Sequence, residues 1–94
     1  MDRNQYQRAL ELLTHRGVGV QSQEYSERSF GSWYVVASIQ PARRLVWDGK
    51  ERWLIVEEEA AERFNGLPVW NELWIERSPH TQSVEQALNA LCSK

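Results

Sequence analysis

Cysteine, long aliphatic runs and an apolar N-terminus are scarce or missing in this sequence. The one cysteine, Cys92, excludes a disulfide bond within the chain. The longest aliphatic runs, 35–37 and 54–56, are far too short to cross a membrane. The first residues are polar and lack the apolar stretch that is typical of a secretory signal. Together these absences favour a complete small protein of the cytoplasm.

A strong charge of either sign is absent as well. The 94 residues contain 11 lysines and arginines against 13 aspartates and glutamates, for a net charge of -2. This balance excludes a generally basic protein that coats nucleic acids. Hydrophobic residues make up 41% and charged residues 26%, so wholesale disorder is excluded too. A chain of this length is too short for two cores, and we expect one compact domain over 1–94.

Patterns that carry catalytic or metal chemistry are equally scarce. His15, His80 and Cys92 stand apart in the sequence, without the paired spacing of a zinc site. The segment 17–19 lacks the third glycine of a phosphate-binding loop and precedes a strand pattern rather than a helix. The glutamates of 57–59 are more typical of a solvated face than of an acid–base pair. We therefore expect no enzyme activity, no metal and no cofactor.

Two segments show the period of an amphipathic helix. The first covers 3–16 and is followed by Gly17, a residue that is typical just after a helix. The second begins at Ser83, which together with Gln86 fits a capping box, and extends to Cys92. The apolar stripes consist of Tyr6, Ala9, Leu10 and Leu13 in the first helix and of Val84, Ala87, Leu88 and Leu91 in the second.

Between the helices the apolar residues alternate with a period of two, which predicts strands. The alternation is present at 18–23 and at 33–39, where Trp33 is the most favoured core ring. It is also present at 69–77, although a helical turn there remains an alternative. The charged segment 57–64 is either a short helix or the end of a strand followed by a loop.

The strongest hairpin signal is the Asp-Gly pair at 48–49, which separates two apolar segments. A four-residue loop would pair Leu45 with Leu54 and is favoured because apolar side chains then face each other. The same register pairs Val46 with Trp53. A three-residue loop that pairs Leu45 with Trp53 remains open.

The order of these elements predicts an α+β fold. It consists of an N-terminal helix, a three- to four-stranded mainly antiparallel sheet and a C-terminal helix. Because each helix has one apolar stripe, we expect both helices to pack on one face of the sheet.

Tryptophan is the residue in excess, with five in the chain against two phenylalanines. All five lie between 33 and 74, within the predicted sheet and its connections. Two short helices can cover only two or three large rings, so some tryptophans are expected on a surface. The alternation places Trp70 and Trp74 on the side of Glu72 and Glu76, which predicts a face with aromatic and acidic side chains.

This pattern favours a non-enzymatic protein-binding module of inhibitor, immunity or adaptor type. Exposed aromatic clusters with a charged rim bind partners, and an acidic surface attracts a partner whose surface is basic. The predicted binding residues are Trp70, Glu72, Trp74, Glu76, Glu58, Glu62, Trp47 and Arg52.

Three alternatives stay open, and none of them involves a membrane. A small ligand or substrate would occupy a pocket near Tyr34, Trp53, Trp74 and His80. Single-stranded nucleic acid is less favoured, and it would use the arginines and aromatic ring of Arg43, Arg44, Trp47 and Arg52. A homodimer would use the same aromatic surface as a protein partner.

Overall fold

The chain folds into five strands between two helices, in a computed structural model that describes residues 3–80 and 82–93. The helices are α1 Arg3–His15 and α2 Ser83–Cys92, and the strands are β1 Val20–Ser26, β2 Ser32–Ala37, β3 Arg43–Asp48, β4 Trp53–Phe64 and β5 Leu67–Glu76. Each strand pairs antiparallel with the next, so the sheet is a meander with β1 and β5 at its edges. No helix in this described part of the chain is long and apolar enough to cross a membrane.

The predicted α+β fold is confirmed, with five antiparallel strands instead of three to four. α1 contacts β1 and β2, whereas α2 contacts β3, β4 and β5. Both helices pack on one side of the sheet, which we call the helix face. The opposite side, which no helix covers in the described chain, is the open face.

The core lies between the two helices and the helix face. Trp33 and Trp47 form a cross-strand pair at its centre, and each keeps only 2% of its surface exposed. The prediction that Trp33 is a core ring is therefore confirmed. Burial of each surrounding aliphatic side chain contributes roughly 1.5–3 kcal/mol to stability. The largest of these are Leu13, Val35, Leu45, Leu54, Val56, Leu88 and Leu91.

The first helix ends as its sequence predicts. Gly17 adopts a left-handed conformation with a φ of 72°, which glycine reaches without steric cost. The N–H of Val18 donates to the carbonyl of Leu13 at 2.9 Å, and the N–H of Gly17 donates to the carbonyl of Thr14 at 3.0 Å. This pair of bonds is the Schellman arrangement, and it turns the chain toward β1.

The second helix begins differently from the prediction, because the capping box is not formed. Ser83 is the first residue of α2, and its hydroxyl accepts the N–H of His80 at 2.8 Å. The N–H of Gln86 donates to the carbonyl of Gln82 instead of the serine hydroxyl. The Ser83 side chain therefore closes the turn that precedes the helix, at a site that is completely buried.

The hairpin between β3 and β4 has the predicted four-residue loop but a different register. Asp48 pairs with Trp53, and Leu45 therefore pairs with Val56 rather than with Leu54. The side chain of Asp48 fixes the loop, since its Oδ1 accepts the N–H of the second and third loop residues at 3.0 and 3.1 Å. The shift along β4 is two residues, so every side chain keeps its predicted face.

A close contact between this loop and the turn between β1 and β2 also determines where the loop begins. The backbone of Gly49 lies against the turn between β1 and β2, where a Cβ on Gly49 would come within 2.0 Å of the Phe30 carbonyl oxygen. The N–H of Gly49 donates to the hydroxyl of Ser32 at 2.9 Å. Only glycine allows the two loops to pack this closely.

The segment 57–64 continues β4 as a strand, with a shift in its pairing to β5 between Glu59 and Arg63. The helix alternative was therefore wrong, and the strand continues through the part for which the other alternative expected a loop. Arg44 donates to Glu57 at 2.7 Å across the two strands, and Arg43 donates to Glu58 at 2.9 Å. Beyond them β4 pairs with β5 up to a tight turn at 65–66, whose two residues both have positive φ. Strand pairing thus overrides the helix propensity of this glutamate- and alanine-rich segment. The strand interpretation of 69–77 is confirmed, with β5 ending at Glu76.

Candidate functional site

The open face has an apolar centre. Its residues alternate along each strand with the residues that point into the core. Val46 pairs with Ile55, and Ile55 pairs with Ile75, so these three side chains form one row across β3, β4 and β5. Each of the three is half-buried by its neighbours. Tyr34 of β2 continues the row, and Val36 beside it is nearly buried. The centre of the face is therefore aliphatic and well packed without a helix on top.

Two tryptophans flank this apolar centre, and each is covered by an arginine. The guanidinium carbon of Arg44 lies 4.2 Å from the ring centroid of Trp70. That of Arg77 lies 5.1 Å from the ring of Trp53. Arg44 is also held by its ion pair with Glu57. Since both ends of Arg44 have partners, the Trp70 ring is held in place before any partner binds.

A β-bulge in β5 divides the predicted binding residues between the two faces. Val56 pairs with Trp74, but the next residue of β4 pairs with Glu72, so one residue of β5 is extra. Trp70 and Glu72 therefore lie on the open face, whereas Trp74 and Glu76 lie on the helix face. The prediction that these four side chains share one side was wrong, because strict alternation fails at a bulge.

The other predicted binding residues are dispersed. Trp47 is a core residue, and Glu58 is paired with Arg43 on the helix face. Arg52 lies in the loop after β3, with its guanidinium carbon 5.9 Å from the Trp47 ring. Glu62 lies on the extension of β4, far along the strand from the apolar centre. Of the eight predicted residues, the structure thus brings only Trp70 and Glu72 to the open face.

The alternative small-ligand pocket is not assembled from its four residues. Tyr34 and Trp53 lie on the open face, but Trp74 packs against the core on the other side of the sheet. His80 lies in the connector before α2, where its Nδ1 accepts the N–H of Gln82 at 3.3 Å. The sheet itself separates these side chains, so they do not line a common cavity.

The residues proposed for nucleic acid are also separated. Arg43 lies on the helix face, where it donates to Glu58 and to the carbonyl groups of Leu91 and Ser93. Arg44 lies on the open face and is paired with a carboxylate, and Trp47 is buried in the core on the helix face. A basic stripe interleaved with exposed rings, as single-stranded nucleic acid requires, is not formed by these residues.

The charged side chains of the open face are mostly acidic, and they differ in whether they are paired. Glu57 is paired with Arg44, and Glu59 lies 3.7 Å from the guanidinium of Arg63. Glu24 and Glu72 have no hydrogen bond or ion pair within the described residues. The acidic side chains of this face are Glu24, Asp48, Glu57, Glu59 and Glu72.

One concavity of about 360 Å³ opens on this face, near the ends of β1, β2 and β3. We call it the Glu24–Asp48 hollow. Its lining includes Ser26, Ser29 and Ser32 as well as those two acidic residues. Among the described residues, no three histidine, cysteine, aspartate or glutamate side chains converge as a metal site would require.

Sequence reasoning missed the aliphatic centre, although a signal for it was present. Both faces of the hairpin 45–56 carry aliphatic residues, so Leu45 and Leu54 on one face alternate with Val46 and Ile55 on the other. Two short helices with one stripe each can cover only one of these faces. It also missed the exposed pair Phe64 and Leu67 beside the turn of the β4–β5 hairpin, which are 72% and 66% exposed.

The fold and this surface define a two-layer α+β domain with one covered and one open sheet face. The chain matches no protein-family model, no curated protein and no solved structure. Any function has to be argued from the chain's own residues.

Proposed function

We propose that the chain is a non-enzymatic protein-binding module of inhibitor, immunity or adaptor type, and that the open face is its binding surface. The observation that carries this proposal is the aliphatic row Val46, Ile55 and Ile75, flanked by two arginine-covered tryptophans. An antiparallel sheet commonly leaves one face to solvent, and that face is then polar. An aliphatic row with a polar rim on such a face is typical of a surface that binds a partner.

The residue types on the open face support a protein partner. Tryptophan and arginine dominate the free energy of protein–protein binding, and they do so when they surround a region from which water is excluded. Trp70 and Trp53 flank the aliphatic row and are already half-buried in the isolated chain. Because their arginine partners hold them, little side-chain entropy is lost on binding.

The charge of the open face supports a partner with a basic surface. Five carboxylates surround the apolar centre against the guanidinium groups of Arg44, Arg63 and Arg77. Glu72 and Glu24 have no ion pair among the residues that the structure describes, and they remain available to a cationic partner. Such complementarity increases the association rate and excludes acidic partners, and it is weakened by salt.

Site-specific photo-crosslinking in the source cells tests this proposal. A benzophenone amino acid replaces Ile55 at the centre of the open face, and in a matched control it replaces Glu11, which is exposed on α1. We expect a protein to be cross-linked from position 55 and not from position 11. A second copy of this chain, detected at position 55, would indicate a homodimer and would contradict a distinct partner.

Binding of the purified partner then completes the test. We expect the double variant Trp70→Ala, Glu72→Ala to bind at least about tenfold more weakly than the unmodified chain, because it loses an aromatic anchor and a carboxylate. The proposal fails if this variant binds the cross-linked protein as tightly as the unmodified chain does, with its thermal unfolding unchanged.

A further inference from the structure

The Glu24–Asp48 hollow forms because one cross-strand row on the open face has small side chains, whereas the row beside it has large ones. Ser26 pairs with Ser32 across β1 and β2, and Asp48 follows on β3. The adjacent row contains Tyr34 and Val46, which form one wall of the hollow. Strands lie about 4.8 Å apart, so the hollow spans roughly 10 Å from β1 to β3. This width accepts a long side chain.

The polar groups of the hollow are acceptors without internal cationic partners. Within the described residues Glu24 makes no hydrogen bond or ion pair, in contrast to Glu57, Glu58 and Glu59, which all have arginine partners. Asp48 uses Oδ1 for two backbone N–H groups of its loop. No basic residue is among the described residues that line the hollow. The carboxylates of Glu24 and Asp48 therefore lack a neighbouring positive charge of the kind that accompanies the three glutamates of β4.

The lining fits a side chain that is apolar along its stem and positively charged at its end. Tyr34 and Val46 offer an apolar wall, and lysine and arginine bury their methylene groups against such surfaces. The two carboxylates and the hydroxyls of Ser26 and Ser29 supply acceptors for the several N–H donors of the charged end. A charge-assisted hydrogen bond is about twice as strong as a neutral one.

We infer that the Glu24–Asp48 hollow receives an arginine or lysine side chain of the protein that binds the open face. This inference rests on the proposed function, and it adds where a side chain of the partner binds and that this side chain is cationic. The hollow shares Tyr34 and Val46 with the apolar row, so one partner can contact both at once. The hollow then selects partners that place a cation beside an apolar patch.

The test uses small probes and does not require the partner. The full-length protein, labelled with 15N, is titrated with N-acetyl-arginine methylamide, and the amide shifts of the hollow are followed. We expect saturable shifts at Glu24, Ser32 and Asp48, with a dissociation constant on the order of 1 mM. The neutral citrulline analogue has the same shape without the charge, and it should bind at least about tenfold more weakly. The lysine derivative shows whether the planar guanidinium is preferred.

Matched variants locate the binding. Glu24→Gln and Asp48→Asn together should weaken binding of the arginine probe at least about tenfold, and asparagine retains the oxygen that the loop of Asp48 needs. Glu11→Gln removes an exposed carboxylate from α1, away from the open face, and should leave binding of the probe unchanged. The inference is overturned if the probe causes no saturable shifts at the hollow, if the citrulline analogue binds equally well, or if the double variant binds like the unmodified chain.

Failure of this inference is distinguishable from failure of the proposed function. If Glu24→Gln with Asp48→Asn has no effect on the probe while Trp70→Ala with Glu72→Ala weakens binding of the cross-linked protein, the open face binds proteins and the hollow does not select a cation. If the hollow binds the arginine probe but no protein is cross-linked from position 55, the proposed function fails alone.

Discussion

Tyr6 illustrates how one residue connects a helix to the sheet. Its ring lies 5.7 Å from the ring centroids of both Tyr25 and Trp33, and its hydroxyl donates to Oε1 of Gln23 at 2.9 Å. Burial raises the pKa of Tyr6, and this effect outweighs the nearby Arg3, which lowers it. The folded state therefore favours the protonated phenol, the only form that can donate to Gln23.

The sign of this pKa shift predicts a loss of stability at alkaline pH. The pKa in the folded state exceeds the ordinary value of 10.0, so the unfolded chain releases its proton first as the pH rises. The stabilisation is fully present below pH 10 and decreases above it. In Tyr6→Phe this contribution is missing at every pH, because the phenol and its hydrogen bond are gone.

Urea unfolding of the wild type and Tyr6→Phe between pH 7 and pH 11 measures the difference. At pH 7 we expect the variant to be less stable by about 1 kcal/mol, the value of one hydrogen bond. The gap should narrow above pH 10, whereas other ionisable groups titrate in both proteins and cancel. A gap that stays constant over this range would contradict the role assigned to Tyr6.

The five tryptophans show that residue type alone does not determine a position in the fold. Trp33 and Trp47 are buried, whereas Trp53 and Trp70 lie half-buried on the open face. The position along the strand determines which face a tryptophan lies on, because neighbouring residues of a strand point to opposite faces. Trp74 is the exception in β5, since the bulge reverses the parity that a simple count would give it.

At the scale of elements, the sequence was sufficient for the helices and for most strands. The helical period and Gly17 predicted α1, and alternation predicted the strands β1, β2 and β5. For β5 it did not predict the faces, because the bulge separates Trp70 from Trp74. The loop length between β3 and β4 was also predictable. The exact pairing was not, because it depends on Asp48 binding its own loop and on the contact of Gly49 with another turn.

The sequence did not predict the strand at 57–64 or the bulge at 72–74, and both have the same physical cause, which is hydrogen-bonded pairing with neighbouring strands. The segment 57–64 has a local preference for helix, but its neighbours β3 and β5 offer strand partners. The bulge at 72–74 results from pairing between two strands, and nothing in the sequence of β5 alone marks it. The binding residues predicted from the alternation of β5 were therefore divided between two faces.

Arg43 connects β4 to the end of α2. We expect its removal to lower the free energy of unfolding by more than the removal of an exposed ion pair does. It donates to Glu58 on β4 and to carbonyl groups at the end of α2, where the helix dipole favours a positive charge. Arg43→Ala should cost about 2 kcal/mol or more, because Glu58 then remains half-buried without its partner.

Arg8→Ala is the matched control for this prediction. Arg8 donates to Glu85 at 2.9 Å between α1 and α2, but both side chains of this pair are half exposed. We expect its removal to cost less than about 0.5 kcal/mol. Urea unfolding of both variants gives the comparison, and equal losses of stability would show that the contacts of Arg43 do not anchor α2.

At the scale of the whole molecule, the two faces of the sheet differ in what covers them and in their side chains. The helix face, with its tryptophan pair and both helices, supplies the buried core. The open face contributes less to that core and carries the aliphatic row and the two arginine-covered tryptophans. It also carries Glu24 and Glu72, which have no ion pair within the described residues. Variants of the charged residues on the open face are therefore expected to change binding more than stability.

The β-bulge provides the sharpest test of this division. Glu72 and Glu76 are four residues apart on the same strand, yet the bulge places Glu72 on the open face and Glu76 on the helix face. The measurement is the affinity of the cross-linked partner, by calorimetry at physiological salt, for Glu72→Lys and Glu76→Lys. We predict at least about tenfold weaker binding for Glu72→Lys and no more than about twofold for Glu76→Lys. Equal affinities of the two variants would contradict the proposal that the open face is the binding surface.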